Sequence, residues 1–229
     1  MMTHTPGQIY LADQRGLVET PQQQRLSTFN FGPYQAEGRA PIGQLLAFNE
    51  ESLAPGQAVT LPVAQPTHLL LLPLTGAVAF AGPRALGGSV AAEQVQLLTL
   101  PADTQVQLRN PSPEHVVTLL HIWLSVSLSE PKPAAECFDY SFSILDNQLA
   151  ELVLPGARRA VSLHMGCFQG RHEAVFRPAT RRLFAFVLAG AFELEGRLLH
   201  AHDSLALWDC GAVELEALSN NALVLVLAL

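Results

Sequence analysis

The chain has 229 residues, 49% of them hydrophobic and 14% charged, with 13 Lys+Arg against 20 Asp+Glu and a formal charge of -7. So much Leu, Val and Ala buries enough apolar surface to offset the entropy of ordering, which excludes a disordered chain. Lys132 is the only lysine and the arginines are scattered, so no basic face exists to grip a polyanion, and a nucleic-acid partner is excluded on electrostatic grounds.

The N-terminus, Met1-Met2-Thr3-His4-Thr5-Pro6-Gly7, lacks the basic stretch and apolar run of a secretory signal, so a cytoplasmic protein is expected. Short apolar segments separated by Gly, Pro, Asn and Asp then follow at the spacing of an all-β sandwich or barrel. Strands are predicted over Gly43–Asn49, Ala58–Pro62, His68–Phe80, Glu93–Leu100, Thr104–Arg109 and Val116–Val126. Ser127–Glu136, with Pro131 and Pro133, reads as a linker, because proline cannot donate to a sheet ladder. A second set is predicted over Ala160–Phe168, Ala174–Arg177, Leu183–Glu193, Ser204–Trp208, Ala212–Ala217 and Ala222–Leu229. The expected organisation is a barrel over 1–126, a linker over 127–150 and a second barrel over 151–229. Leu69–Leu74 and Ala222–Leu229 are far shorter than the roughly 18 to 20 residues of a membrane-spanning helix, and are expected as buried strands. Cys137, Cys167 and Cys210 are odd in number and widely spaced, which predicts free, mostly buried thiols.

The two sets echo each other: Gly56 to Gly76 and Gly170 to Gly190 are both 20 residues apart, as in a duplicated unit. Within and around the first frame lie Thr28-Phe29-Asn30-Phe31-Gly32-x-Tyr34, Gly43-x-Leu45-x-x-x-Asn49-Glu50, Leu53-Ala54-Pro55-Gly56 and His121-Ile122-Trp123-Leu124. In these motifs, taken in order over most of residues 20 to 125, the chain resembles the pirin-like branch of the cupin superfamily. The resemblance implies a bicupin, two small antiparallel β-barrels of the double-stranded β-helix type. It also implies metal chemistry, since metal-dependent cupins hold iron, manganese or nickel with three His and a carboxylate. Two His separated by one residue on a strand share a face, which is why that spacing makes a site.

Laid on this sequence, the family's first motif puts Pro62 and Ala64 in the two His slots and His68 or Leu69 in the carboxylate slot. The second finds Pro101 and Asn110 in register, but Val106 where His belongs and Leu108 where pirins place a Glu. In the second half, Phe176 and Pro178 take the His slots, Arg182 or Leu183 takes the carboxylate slot, and the second motif reads Asp203, Asp209, Gly211 and Glu214. No metal cofactor is therefore expected, with Fe, Mn or Ni as the alternative.

His68 is the candidate binding residue: strand alternation puts it with Leu70 and Leu72, on a face predicted to look into the first barrel. No catalytic residue is assigned. His200-Ala201-His202-Asp203 reads as a solvated turn, and His164 and Cys167 fall on opposite faces of one strand. Arg158-Arg159 and Arg181-Arg182 are short basic pairs, and Glu193, Glu195, Glu214 and Glu216 alternate as on a solvated strand face. No P-loop, dinucleotide fingerprint or nucleophile elbow is present. The expected function is a bicupin without its metal ligands that recognises a small molecule or a protein. The alternatives are a quercetin 2,3-dioxygenase-type oxygenase, implied by the resemblance alone, and metal-free chemistry at His68.

Overall fold

A computed structural model of the chain describes residues 5–126, 131–155 and 161–229. Its strands are β1 (Gly7–Tyr10), β2 (Gly16–Glu19), β3 (Gln23–Ser27), β4 (Leu45–Leu53), β5 (Ala58–Val63), β6 (Thr67–Pro73) and β7 (Ala77–Ala81). There follow β8 (Gly87–Ala91), β9 (Gln94–Leu100), β10 (Thr104–Arg109), β11 (Val117–Ser125), β12 (Ala134–Asp139), β13 (Ala150–Val153) and β14 (Ser162–Phe168). The last seven are β15 (Glu173–Phe176), β16 (Arg182–Ala189), β17 (Ala191–Leu194), β18 (Arg197–His200), β19 (Ser204–Trp208), β20 (Val213–Ala217) and β21 (Ala222–Ala228). Helical structure among the described residues is confined to three short 3₁₀ turns, so the all-β expectation holds.

The chain forms two compact units. The first, Arg15–Asp139, packs a seven-stranded sheet of order β12-β9-β6-β11-β4-β3-β2 against a four-stranded sheet of order β5-β10-β7-β8. The second combines the segment ending at Gln14 with Tyr140–Leu229. Its sheets are β1-β19-β16-β21-β14-β13 and β15-β20-β17-β18. Each unit is a jelly-roll sandwich rather than a barrel closed by hydrogen bonds. The sheet orders match except at β2, which has no counterpart: β3 to β11 correspond to β13 to β21, and the edge strand β12 to β1.

Two expected strands are each cut in two by a glycine. Gly76 (φ +64°) turns the chain between β6 and β7, and Gly190 (φ +75°) between β16 and β17, where a Cβ would lie 2.3 Å from Ser219 Oγ. Both positions need the left-handed conformation that glycine adopts without steric penalty.

The boundaries differ from 1–126, 127–150 and 151–229 in three ways. β1 pairs with β19, so the start of the chain completes the second unit's sheet. β12 pairs with β9 across Ala134 to Asp139, inside the expected linker, with Gln96 Nε2 donating to Glu136 O at 2.7 Å. β13 begins at Ala150 within the same span. Pro131 and Pro133 precede β12, where a missing N–H breaks no ladder bond, and six proline-free residues then take the open edge of β9. Residues 127–130 of that linker, and Ala160 of the strand predicted at Ala160–Phe168, lie outside the described residues.

Alternation fixes which side chains meet between the sheets. In the first unit Leu69 and Leu71 of β6, Leu98 and Leu100 of β9, Val117, Leu119 and Trp123 of β11, and Leu61 and Val63 of β5 form one core. In the second, Phe168, Leu183, Phe192, Leu205, Val213 and Val224 form the other. Each fully buried Leu or Phe contributes about 1.5–3 kcal/mol relative to an exposed one.

Candidate functional site

The inward face of β4 reads Ala47, Asn49, Glu51, Leu53, so a strand that supplies core residues at both ends of this run carries two polar ones in its middle. Register brings polar partners to the same face: Arg25 of β3 opposes Glu51, while Ser27 of β3 and His121 of β11 flank Asn49. Glu51, Asn49 and His121 are 0% exposed and Arg25 6%. Carboxylates and guanidinium groups are almost never this deep unless paired. Here Arg25 Nε donates to Glu51 Oε2, and the guanidinium carbon lies 5.1 Å from the centroid of the Phe31 ring.

The tautomer of His121 follows from its partners. The indole Nε1–H of Trp123 donates to His121 Nδ1 at 2.8 Å, so that nitrogen is the acceptor and the ring proton resides on Nε2, which donates to Glu51 Oε2 at 3.3 Å. The Asn49 amide nitrogen also faces Nδ1, at 3.5 Å. Burial lowers the His121 pKa, Arg25 lowers it further, and the bond to Glu51 pulls the other way; the net direction is down, which keeps the imidazole neutral.

Four buried atoms of this cluster have no hydrogen-bond partner among the described residues: Arg25 Nη2, Ser27 Oγ, Asn49 Oδ1 and Glu51 Oε1. Each unmade bond costs about 1–3 kcal/mol. Phe31 roofs the group, its ring 5.7 Å from that of His121 and 5.4 Å from that of Trp123, and it is half-buried.

The positions that the cupin motifs would use for metal lie elsewhere. Val106 and Leu108 of β10 point into the core, opposite Leu61 and Val59 of β5. Pro62 and Ala64 do not: they are exposed, and the inward side chains of β5 are Leu61 and Val63. Motif counting therefore runs one residue out of phase with the strand, and a period of two turns that step into the opposite face. On either count the side chains have no donor atom for a metal, so these residues do not fit a cupin-type ion. Asn110, in register with the second motif, is a turn clamp whose amide nitrogen donates to the carbonyls of Leu53, Ala54 and His115.

His68 stands differently from its prediction. Leu69 and Leu71 are the inward residues of β6, and the lateral neighbours of His68 are Leu124 and Thr99, which alternate with the inward Trp123, Leu98 and Leu100. Its imidazole is buried on the opposite face of the sheet, with Nδ1 3.1 Å from Thr99 Oγ1. His68 keeps the phase of Pro62 and Ala64 across the turn, and the expectation failed because that whole face, and not the one through Leu61, Val63, Leu69 and Leu71, points away from the core.

In the second unit Asp203 caps its own turn: Oδ2 accepts from His200 N at 2.9 Å and Oδ1 from Ala12 N at 2.8 Å. His202 sits in that turn at φ +67°, as a loop reading requires. His164 points inward on β14 while Cys167 takes the other face. His164 Nε2 lies 2.9 Å from Ser162 Oγ and 4.0 Å from Glu151 Oε1, and burial lowers its pKa against the pull of Glu151. Both partners address one nitrogen, which is not the relay in which an acid orients the far side of a catalytic base. Glu193, Glu195, Glu214 and Glu216 join Glu173 along a solvent-facing groove of ≈ 290 Å³. Of the basic pairs, Arg158-Arg159 lies outside the described residues and Arg181 forms an exposed ion pair with Asp209 at 3.4 Å. All three cysteines are free, but Cys137 is exposed on the edge strand β12 rather than buried. Among the described residues no three His, Cys, Asp or Glu side chains converge as a metal group.

Two jelly-roll units in one chain, with matching sheet orders, define a bicupin. The comparisons carry this further. Residues 158–229 match the family model of the quercetinase C-terminal cupin domain. The structure resembles YhhW from Escherichia coli with a TM-score of 0.86 at 21% identity, covering 98% of this chain and 97% of that one. The nickel(II) complex of the same bacterial pirin matches equally, with 98% and 99% covered. A quercetin 2,3-dioxygenase from Acinetobacter baumannii aligns with a TM-score of 0.73 at 12% identity, over 97% of this chain and 78% of that one. No curated protein matches in sequence. In fold the chain is a bicupin that resembles these bacterial pirins.

Sequence reasoning did not assign Arg25, Ser27, Glu51 or His121 to a site, although Asn49, His121 and Trp123 stood in the motifs that carried the resemblance. The signal was present: Asn and Glu at i and i+2, alternating with core positions of one strand, and a His in the apolar run Leu119 to Leu124.

Proposed function

We propose that this bicupin binds a small molecule in the core of its first unit and does so without a metal at the cupin ligand positions. The observation that carries the reading is the pairing of an apolar wall, Leu61, Val63, Val106 and Leu108, with a buried polar cluster that leaves Arg25 Nη2, Ser27 Oγ, Asn49 Oδ1 and Glu51 Oε1 unpaired. A core that needed only packing would be more stable with apolar residues here, and a polar network this deep is tolerated when its bonds are completed. The protein then acts as a non-catalytic binder or sensor, or passes the bound state to a protein partner. We place it in the cytoplasm, and no helix among the described residues is long and apolar enough to cross a membrane.

The test is metal retention together with ligand content. Protein loaded with Fe(II), Mn(II) or Ni(II) and then dialysed is expected to keep far less than one ion per chain. Stoichiometric retention overturns the reading.

A second reading, a quercetin 2,3-dioxygenase-type oxygenase, is favoured by the match of residues 158–229 to a quercetinase domain. It requires a metal, and the apolar wall speaks against it. Quercetin turnover with added metal would establish it, and turnover lost in His68→Ala would return His68 to the site.

A further inference from the structure

The unpaired atoms of the first unit also specify what completes them. Arg25 and Glu51 neutralise each other and His121 is held neutral, so the cluster carries no net charge. An ion entering it would be buried without a counter-charge, which is costly, whereas a neutral guest is not penalised. Glu51 Oε1 and Asn49 Oδ1 are acceptors and ask for donors, Arg25 Nη2 is a donor and asks for an acceptor, and Ser27 Oγ serves as either. The orientation of the Asn49 amide follows from its neighbour: His121 Nδ1 accepts from Trp123, so the Asn49 edge beside it is the nitrogen and the free edge is the oxygen. All four groups lie on one face of adjacent strands, in the two neighbouring rows Arg25–Glu51 and Ser27–Asn49–His121.

We propose that the first unit holds a site for a small neutral molecule that donates two hydrogen bonds, to Glu51 and Asn49, and accepts one from Arg25, the chemistry of a vicinal diol or a primary amide. The proposal rests on the binding function above and names its ligand class. Phe31 is the specificity wall: its half-buried ring stands on Arg25, His121 and Trp123, and the turn it opens is closed by reciprocal Phe31–Tyr34 backbone bonds of 3.1 Å.

The experiment titrates full-length, nitrogen-15-labelled protein with 1,2-propanediol and acetamide, and with acetate and methylammonium as charged probes of similar size, following the His121 ring signals and the melting temperature. A neutral probe is expected to give saturable shifts of the His121 ring and a raised melting temperature. Its affinity should fall about tenfold in Asn49→Ala, the ratio that one lost hydrogen bond gives. Ser27→Ala, a milder change on the same face, serves if Asn49→Ala does not fold. Saturable binding of acetate or methylammonium in place of the neutral probes overturns the ligand class and leaves the binding function standing. Neutral-probe binding that neither variant weakens overturns the placement of the site. If no probe gives saturable shifts and a high-resolution crystal structure shows only water on the four atoms, the ligand class and the binding function fall together.

Discussion

The two units share a sheet order but differ in the rows where the first is polar. Gly76 and Gly190 end corresponding strands, so Pro73 corresponds to Val187 three residues earlier. The row through Pro73 runs Pro73, Leu119, Glu51, Arg25, and the row through Val187 runs Val187, Val224, Gly166. Where the first unit holds a buried Glu, the second has a glycine whose Cβ would come within 2.6 Å of the Phe168 ring and of Gln148 O. The next row reads Leu71, His121, Asn49, Ser27 in the first unit and Ala185, Val226, His164, Glu151 in the second. The second unit fills the space with an aromatic ring, and of its titratable pair His164 points inward while the Glu151 side chain is 36% exposed. The other kept an ion pair and a neutral His sealed inside. The same strand order therefore does not require the polar cluster.

The sharpest way to break this contrast is Glu51→Ala, which leaves the Arg25 cation buried and unpaired. It is expected to cost about 3–5 kcal/mol by urea denaturation. Gly166→Ala tests the other half: the added methyl group meets backbone and ring, with an expected cost of about 1–3 kcal/mol. A loss below a few tenths would show that the second core is loosely filled.

The pH dependence sharpens the comparison further. Burial lowers the folded-state pKa of both His121 and His164, so the unfolded chain binds more protons. Stability is then complete above the unfolded value of about 6.5 and is lost as pH falls toward the folded values, with a slope of up to about 1.4 kcal/mol per pH unit for each ring. His121→Gln should remove one share of that slope; an unchanged slope would mean that the ring is charged in the fold. Trp123→Phe deletes the donor to Nδ1 and leaves a small cavity where the indole was larger, for an expected loss of about 1–3 kcal/mol in thermal or urea unfolding. The smallest effect belongs to Glu151→Gln, whose partly exposed pair with His164 spans 4.0 Å, and whose stability change should stay within about 0.5 kcal/mol.

Much of the fold was legible because apolar alternation and glycine turns are local signals. Strands β4, β5, β9, β10, β11, β14, β19, β20 and β21 fall within a few residues of their expected places. β1, β2, β3, β8, β12, β13 and β18 were missed because strands such as Gln23–Ser27 and Ala134–Asp139 are short and polar, and their pairing is decided by their partners in the sheet. The candidate site was less legible for the same reason. Arg25, Glu51 and His121 come from three strands and converge only through register, and no local spacing announces that. The loss of donors at Val106 and Leu108 could be read directly, whereas alternation alone did not say which of the two faces of β5 and β6 looks inward, and His68 lies on the other one.

The pairing of β1 with β19 orders events on the ribosome. Residues 15 to 139 contain every strand of their own unit and can fold as they emerge. The segment Gly7–Tyr10, made before them, finds its partner only when residues 204–208 have been synthesised. The earliest strand is thus among the last to be placed, and its free edge stays open to a wrong partner throughout translation.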